Sequence, residues 1–426
     1  MRNARVWARM LGLQKAVVER VDFHEDQDTL VASVRPARGY RRRCGICGCR
    51  CPGYDQGAGR RRWRALDLGT LMAYVEADAP RVNCPDHGIV VAAVPWARHH
   101  AGHTLGFDQQ VAWLATTCAK TAVTQLMRIA WRTVGAVISR VWADTQRQVD
   151  LLDGLTRIGI DEISYRKGHK YLTVVVDHDT GRLVWAGPGA DKNALAAFFT
   201  RLGPDRCVRI THISSDAAGW IREAVAQHCP QAIRCADAFH VVAWATDALD
   251  ELRRAAWNHA RGAARGTSRA NNRNHRPTGD TKALEHARWA LWKNPEDLTE
   301  RRHEQISWIA KTHPALYRGW ALKEGLRTVF AIAYRSPTEA IEALDRWISW
   351  ARRCRLAPFV KLARSITRDR DAIIAAITHR LSNALIESTN TKIRLIIRRG
   401  FGFRTPTAII ALAMLSLGGH RPSLPA

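Results

Sequence analysis

TRIGIDEIS (156–164) is followed by YLTVVVD (171–177), the turn HDTG (178–181) and GRLVWA (181–186). β-branched residues alternate with others in the first stretch, run almost unbroken in the second, and return after a Gly-containing turn. Three antiparallel strands are expected there. Downstream, Lys192–Leu202 has helical periodicity, Val208–Ser214 reads as a strand, Trp220–His228 as a helix and Ala232–Ala236 as a strand. Three antiparallel strands followed by alternating helix and strand is the order expected of a ribonuclease H-like mixed sheet, though other α/β folds share such an order.

Working outward, strand signals stop after His240, and helical periodicity runs to about Arg370 with Trp244, Trp257, Trp289, Trp292, Trp308, Trp320, Trp347 and Trp350 along it. Within it, Arg261–Asp280 is rich in Gly, Asn and Arg and is expected to be a basic loop. On the N-terminal side, Phe107–Trp142 is helical. Thr121–Ile129 and Arg132–Trp142 have the size of a helix-turn-helix, whose second helix would offer Arg132, Thr133, Ser139 or Arg140 to a DNA groove; a plain helical hairpin has the same pattern. The first hundred residues read as short strands and turns with basic clusters at Arg41–Arg43 and Arg60–Arg62.

Lys and Arg total 65 against 39 Asp and Glu, a surplus of 26. Such a surplus points to a polyanion, with nucleic acid ahead of a membrane surface. The apolar run Ala408–Leu417 is too short to span a bilayer, and the N-terminus lacks a signal-peptide layout, so a cytoplasmic protein, nucleoid-associated when bound, is expected.

Four of ten cysteines lie between Cys44 and Cys51. Cys44 and Cys47 form one knuckle, Cys84 and His87 a second, each beside turn-forming Gly or Pro. Four such ligands suit a structural, tetrahedral Zn²⁺; Cys49 and Cys51 compete for a place in the set. Cys118, Cys207, Cys229, Cys235 and Cys354 are scattered among apolar neighbours, as buried free thiols are.

Asp161 follows Ile158-Gly159-Ile160 on the first strand, and Asp216 lies just past the strand Val208–Ser214. Carboxylates on adjacent strands converge, and hard oxygen ligands suit Mg²⁺ or Mn²⁺ in a two-metal site. Glu387 is the third candidate, on a helix running to about Arg399 with Thr391, Arg394 and Arg398 on its face. Strand alternation turns Glu162 away from the Asp161 face, and Asp177 and Asp179 sit at a turn. From pattern alone each acid is equally a cap, a turn residue or a salt-bridge partner.

GIDE (159–162), KGHKY (167–171), DAFHVV (237–242), the stretch Asn383–Asn390 and RRGFGFR (398–404) together resemble bacterial insertion-sequence transposases of the ISL-three type over nearly the whole chain. The resemblance implies a multidomain α/β protein with a ribonuclease H-like core split by an all-α insertion and preceded by a zinc-binding module and a helix-turn-helix. The expected boundaries are 1–100 for the zinc module, 101–150 for the helix-turn-helix, 151–240 and 375–426 for the two parts of the core, and 241–374 for the insertion. It implies a Mg²⁺-dependent DDE triad at Asp161, Asp216 and Glu387, with Asp237 and His240 supporting it. One departure is His87, where such knuckles also use Cys; zinc accepts either.

The function so implied is binding of terminal inverted repeats, strand cleavage, and transfer of 3′-hydroxyl ends to target DNA by a homodimer or larger synaptic assembly. Arg132, Arg140, Lys392, Arg394, Arg398, Arg399 and Arg404 are the expected DNA contacts. Trp289 and Trp292 are expected either to stack on a flipped base or to pack between helices. Two rival readings are a nuclease of the same core that does not join strands, and an inactive DNA-binding regulator.

Overall fold

A computed structural model describes residues 2–216, 218–266, 279–381 and 383–425. The chain divides into two compact units. One comprises Met1–Leu151 with Lys392–Ala426, the other Leu152–Thr391.

The first unit opens with helix α1 (Arg2–Met10), a helix not expected from the sequence, then strands β1 (Ala16–His24) and β2 (Thr29–Pro36). After β3 (Gly53–Asp55) come β4 (Arg60–Arg64), β5 (Met72–Asp78), β6 (Arg81–Cys84) and β7 (Gly88–Val91). They form two sheets, β1-β2-β5-β4 and β3-β6-β7. Leu30, Ala32, Val34, Trp63 and Val75 fill the core of the larger one. The smaller sheet has only a tiny buried cluster of Cys44, Cys51, Val82 and Cys84, so its stability needs a staple other than apolar area.

Helices α2 (Leu105–Thr117), α3 (Lys120–Met127) and α4 (Trp131–Gln148) follow. Thr104 caps α2 by accepting the Phe107 N–H. Arg128 takes a left-handed conformation that ends α3 three residues before α4 begins, which makes the tight turn of a helix-turn-helix. The second helix starts one residue before and ends six residues after the expected Arg132–Trp142, and Val134, Val137, Ile138 and Val141 form its buried stripe.

In the second unit β8 (Arg157–Arg166), β9 (Lys170–Asp177) and β10 (Leu183–Pro188) precede α5 (Lys192–Leu202), α6 (Pro204–Cys207), β11 (His212–Ser215), α7 (Gly219–His228) and β12 (Ile233–Ala236). The sheet order is β10-β9-β8-β11-β12. The first three strands are antiparallel, while β8, β11 and β12 are parallel. The expected hairpin turn forms, with Gly181 at φ 73° donating its N–H to the Asp177 carbonyl. The expected strand from Val208 starts only at His212, because Pro204 nucleates a helical turn and Val208 is exposed.

Then come α8 (Ala238–Gly266), α9 (Gly279–His286), α10 (Arg288–Trp292), α11 (Glu300–Thr312), α12 (Pro314–Ala333), α13 (Pro337–Arg353), α14 (Ala357–Arg368) and α15 (Arg370–His379). Their shared core includes Leu249, Leu322, Leu326, Leu344, Phe359 and Ile373. Of the expected basic loop, residues 261–266 are helical and 267–278 lie outside the described residues. Helix α16 (Ala384–Arg399) and helix α17 (Pro406–Leu417) complete the chain. Residues 392–426 group with the N-terminal unit, because α17 packs its apolar surface on α4 and α2.

Candidate active site and metal centre

The register of the parallel strands organises the acidic site. Ile160 of β8 pairs with Ser215 of β11, and Ser215 pairs with Ala236 of β12. The next residue on each is an aspartate: Asp161, Asp216 and Asp237. Three carboxylates therefore stand in a row at matching register, just past the carboxyl ends of β11 and β12 and within the longer β8, on the side where ligands of open α/β sheets bind.

Each is held by a donor. The Asp161 carboxylate accepts the Glu162 N–H at 2.8 Å and the Asn390 side-chain amide at 2.6 Å. Asp216 accepts the Ala218 N–H at 3.1 Å. Buried Asp237 takes the Phe239 N–H at 3.1 Å and pairs with His240 Nδ1 at 2.5 Å. Burial raises the Asp161 carboxyl above its ordinary value, with the Asp216 charge adding to it. The bond to Asp237 raises His240, and Asp216 and Asp161 raise it further. Neighbouring carboxylates favour the protonated form of an imidazole, which gives the shift its direction.

Glu162, expected to face away, lies in the same field. Burial, then Asp216 and Asp161, push it up to about 7. β11 stops opposite Ile160, one residue before Asp161 and two before Glu162.

Glu387 is half-buried on α16, three residues before Asn390, and so on the same helix face. Ile386, Thr389, Asn390, Ile393 and Ile396 make the buried stripe of that helix, and Gly159 lets it approach β8, since a Cβ there would meet Ile386 Cδ1 at 2.3 Å. The structure thus brings Asp161 beside Asp216 and joins Asp161 to the helix that carries Glu387. The sequence reading missed Asn390, although its three-residue spacing from Glu387 was available as a signal. The other acids keep local roles: Asp177 caps the 178–181 turn, and Asp179 pairs with Arg157 at 2.8 Å.

The expected DNA contacts split into two sets. Arg132, Lys392, Arg394, Arg398 and Arg404 are exposed. The partly exposed Arg140 has its guanidinium held at 3.0 Å by the fully buried Asp108, which Arg98 also binds at 2.9 Å. The partly exposed Arg399 donates to the Thr117 carbonyl at 2.9 Å. Both make these bonds within the first unit, and Ser139 bonds back to the Gly135 carbonyl. Trp289 is well exposed, and Arg288 stacks on Trp292 at 4.0 Å.

Cys44, Cys47, Cys84 and His87 form a separate cluster whose ligand atoms all lie within 4.8 Å of one another. The Cys47 and Cys84 sulfurs are 3.7 Å apart, and His87 Nδ1 is 3.5 Å from Cys84 and 3.9 Å from Cys44. The His87 bond holds the Cys84 thiol down at about 6. Cys51 turns its sulfur to the Cys49 carbonyl. Three sulfurs and one imidazole at this spacing suit tetrahedral Zn²⁺ with no open position. Among the described residues no second cluster of this kind occurs, and no helix is long and apolar enough to cross a membrane.

Comparison with known proteins bears on the whole chain. A zinc-finger model of insertion-sequence transposases matches residues 41–87, a helix-turn-helix model of the transposase family ISL3 matches 92–142, and the family's transposase model matches 158–413. The transposase for insertion sequence element IS1557 of Mycobacterium tuberculosis strain H37Rv is 58% identical, covering 100% of this chain and 98% of that protein. The transposase for insertion sequence element IS1001 of Bordetella parapertussis is 26% identical over 92% of this chain and 93% of its own length. The zinc finger, the helix-turn-helix and the aspartate-bearing sheet thus occur in the order the matches require, and the chain belongs to the ISL3 family of insertion-sequence transposases.

Proposed function

We propose that this transposase binds the terminal inverted repeats of its element, cuts DNA strands there, and joins the 3′-hydroxyl ends to target DNA. The observation that carries the reading is the register placing Asp161 beside Asp216, with Asn390 tying Asp161 to the helix of Glu387. The sheet order β10-β9-β8-β11-β12 supports a ribonuclease H-like core, and the helices between Ala238 and His379 support an all-α insertion within it.

Asp161, Asp216 and Glu387 would hold Mg²⁺ or Mn²⁺. The donor set fits: all three offer hard oxygen, and the buried Asn390 Oδ1 has no protein partner. Once bound, a pair of such ions activates the attacking water or 3′-hydroxyl and steadies the leaving oxygen. The chain's own groups do the rest. Asn390 and the Glu162 N–H fix the Asp161 carboxylate, and Asp237 with His240 supports the row. Exposed Arg132, Lys392, Arg394, Arg398 and Arg404 would neutralise phosphates, and the zinc module and helix-turn-helix would read the ends. Pairing two ends calls for at least a homodimer, working in the cytoplasm on nucleoid DNA.

Cleavage and strand transfer on labelled element-end DNA with Mg²⁺ or Mn²⁺ test this. Wild type should cut and join, while Asp216→Ala should bind the DNA and do neither. Cutting without joining of paired ends would leave a nuclease, and binding without any reaction a regulator.

A further inference from the structure

The loop after α16 carries an aromatic side chain that packing does not explain. Helix α16 ends in a paired hydrogen-bond motif, with the Phe401 N–H on the Arg398 carbonyl and the Gly402 N–H on the Ile397 carbonyl, each at 3.0 Å. The residue closing that motif takes left-handed geometry and is usually glycine. Here it is Phe401, at φ 47°, a conformation disfavoured for a bulky side chain. Its neighbours are glycines with evident uses. A Cβ on Gly400 would strike the Phe403 ring at 2.7 Å, and Gly402 has φ 87°. Phe403 is the aromatic that packs, buried to 8% with Lys120 over its ring at 5.6 Å. Phe401 is 73% exposed.

The ring of Phe401 faces one aromatic neighbour, Trp131, at 6.4 Å. Trp131 is the first residue of α4 and is itself 37% exposed, with the Lys120 ammonium 4.5 Å from its ring. Exposed Arg132 follows Trp131, and exposed Arg398 and Arg404 bracket Phe401 in the chain. Charge complementarity identifies the occupant. Neither 109–143 nor 388–426, the two segments that build this patch, contains a single Asp or Glu. A strained, exposed aromatic on an acid-free basic surface at the start of a second helix-turn-helix helix is placed to meet bases.

We propose that Phe401 and Trp131 form an aromatic surface that contacts base pairs of duplex DNA beside the start of α4, so that the loop after α16 and the helix-turn-helix read DNA as one surface. This rests on the reading that the helix-turn-helix binds element ends.

The test uses full-length, zinc-loaded protein and a fluorescent duplex spanning the end of the element that encodes the chain, with a scrambled duplex as control. Phe401→Gly should weaken end binding roughly fivefold or more, the lower range of one lost base contact, while its melting temperature stays level or rises because the strain is relieved. Phe401→Tyr should bind as wild type does. If Phe401→Gly binds fully while Arg132→Ala weakens binding, the aromatic surface is refuted and end recognition stands. If Phe401→Gly melts lower, Phe401 is a packing residue and the proposal fails. If wild type does not distinguish end from scrambled duplex, end recognition itself fails, and the proposal with it.

Discussion

Gly159→Ala is the smallest change that should pry the Glu387 helix off the sheet. The new Cβ would lie 2.3 Å from Ile386 Cδ1, 2.9 Å from Ile386 Cγ1 and 2.9 Å from His178 Nε2. Ile386 is fully buried, and close-packed interiors leave few voids for a side chain to turn into. His178 is committed to the Ser214 hydroxyl at 2.7 Å. Overpacking of this kind costs ~1–3 kcal/mol, and the two clashing groups argue for its upper half. Replacing a strand glycine returns ~0.5–1 kcal/mol of backbone entropy. The net is a loss of ~1–2 kcal/mol, or ~3–6 °C for a unit of this size.

Calorimetry of the full chain reads the stability, and end cleavage reads the site, since Glu387 and Asn390 flank the displaced residue. Ile386→Val removes the atom that clashes worst, so adding it to Gly159→Ala should restore ~1 kcal/mol relative to the sum of the single changes. A Gly159→Ala protein that melts within a degree of wild type and cleaves at the same rate would show that α16 does not seat on Gly159.

Arg140→Ala should lower stability by ~2–3 kcal/mol, below the full cost of a broken buried pair because Arg98 still holds Asp108; Arg132→Ala should leave melting unchanged and weaken DNA binding, and melting curves beside anisotropy separate the two. Asn390→Ala should raise the Mn²⁺ concentration needed for half-maximal cleavage ~10–100-fold, the usual cost of losing an outer partner of a metal ligand; calorimetric Mn²⁺ titration of the DNA-free protein should show the same weakening. Burial lowers His178 and His103 below the ordinary histidine value. The unfolded chain therefore takes up their protons first, and stability should fall as pH drops below about 6.5 towards their folded values. Thermal melts from pH 7.5 to 5 measure this, and His178→Gln should flatten the slope.

Much of this was legible in the sequence where the local pattern alone decides the outcome. Helix Lys192–Leu202 was read to the residue, because Asp191 caps it and its apolar side is continuous. The zinc ligands were legible because turns fix them locally. Side-chain pairing across the fold was not. Arg140 looks like any recognition-helix arginine until Asp108, thirty-two residues earlier, is seen to claim it. Strand alternation separates Glu162 from Asp161 but does not reveal the charge coupling between them, which acts through space at the end of β11. The packing of α17 on α4 and α2 is likewise a long-range outcome, since the apolar run Ala408–Leu417 marks a buried helix but not its partners.

The row of aspartates explains why so many partners gather at one strand end. Neighbouring strands lie ~4.8 Å apart, so carboxylates at matching register repel one another in a partly dry setting. Three such groups ionised together are tolerable only if each has its own compensation. Asp237 is nearly inaccessible and is answered by its 2.5 Å bond to His240, whose protonated form that bond favours. Asp161 is answered by two neutral donors, one of them Asn390. Asp216 has the weakest claim on the protein, a single N–H at 3.1 Å. Charge balance therefore falls short at Asp216 and next to it at Asp161, not at Asp237. A divalent cation in the site would be drawn to that pair, which favours the proposed supporting role of Asp237 although it shares their register.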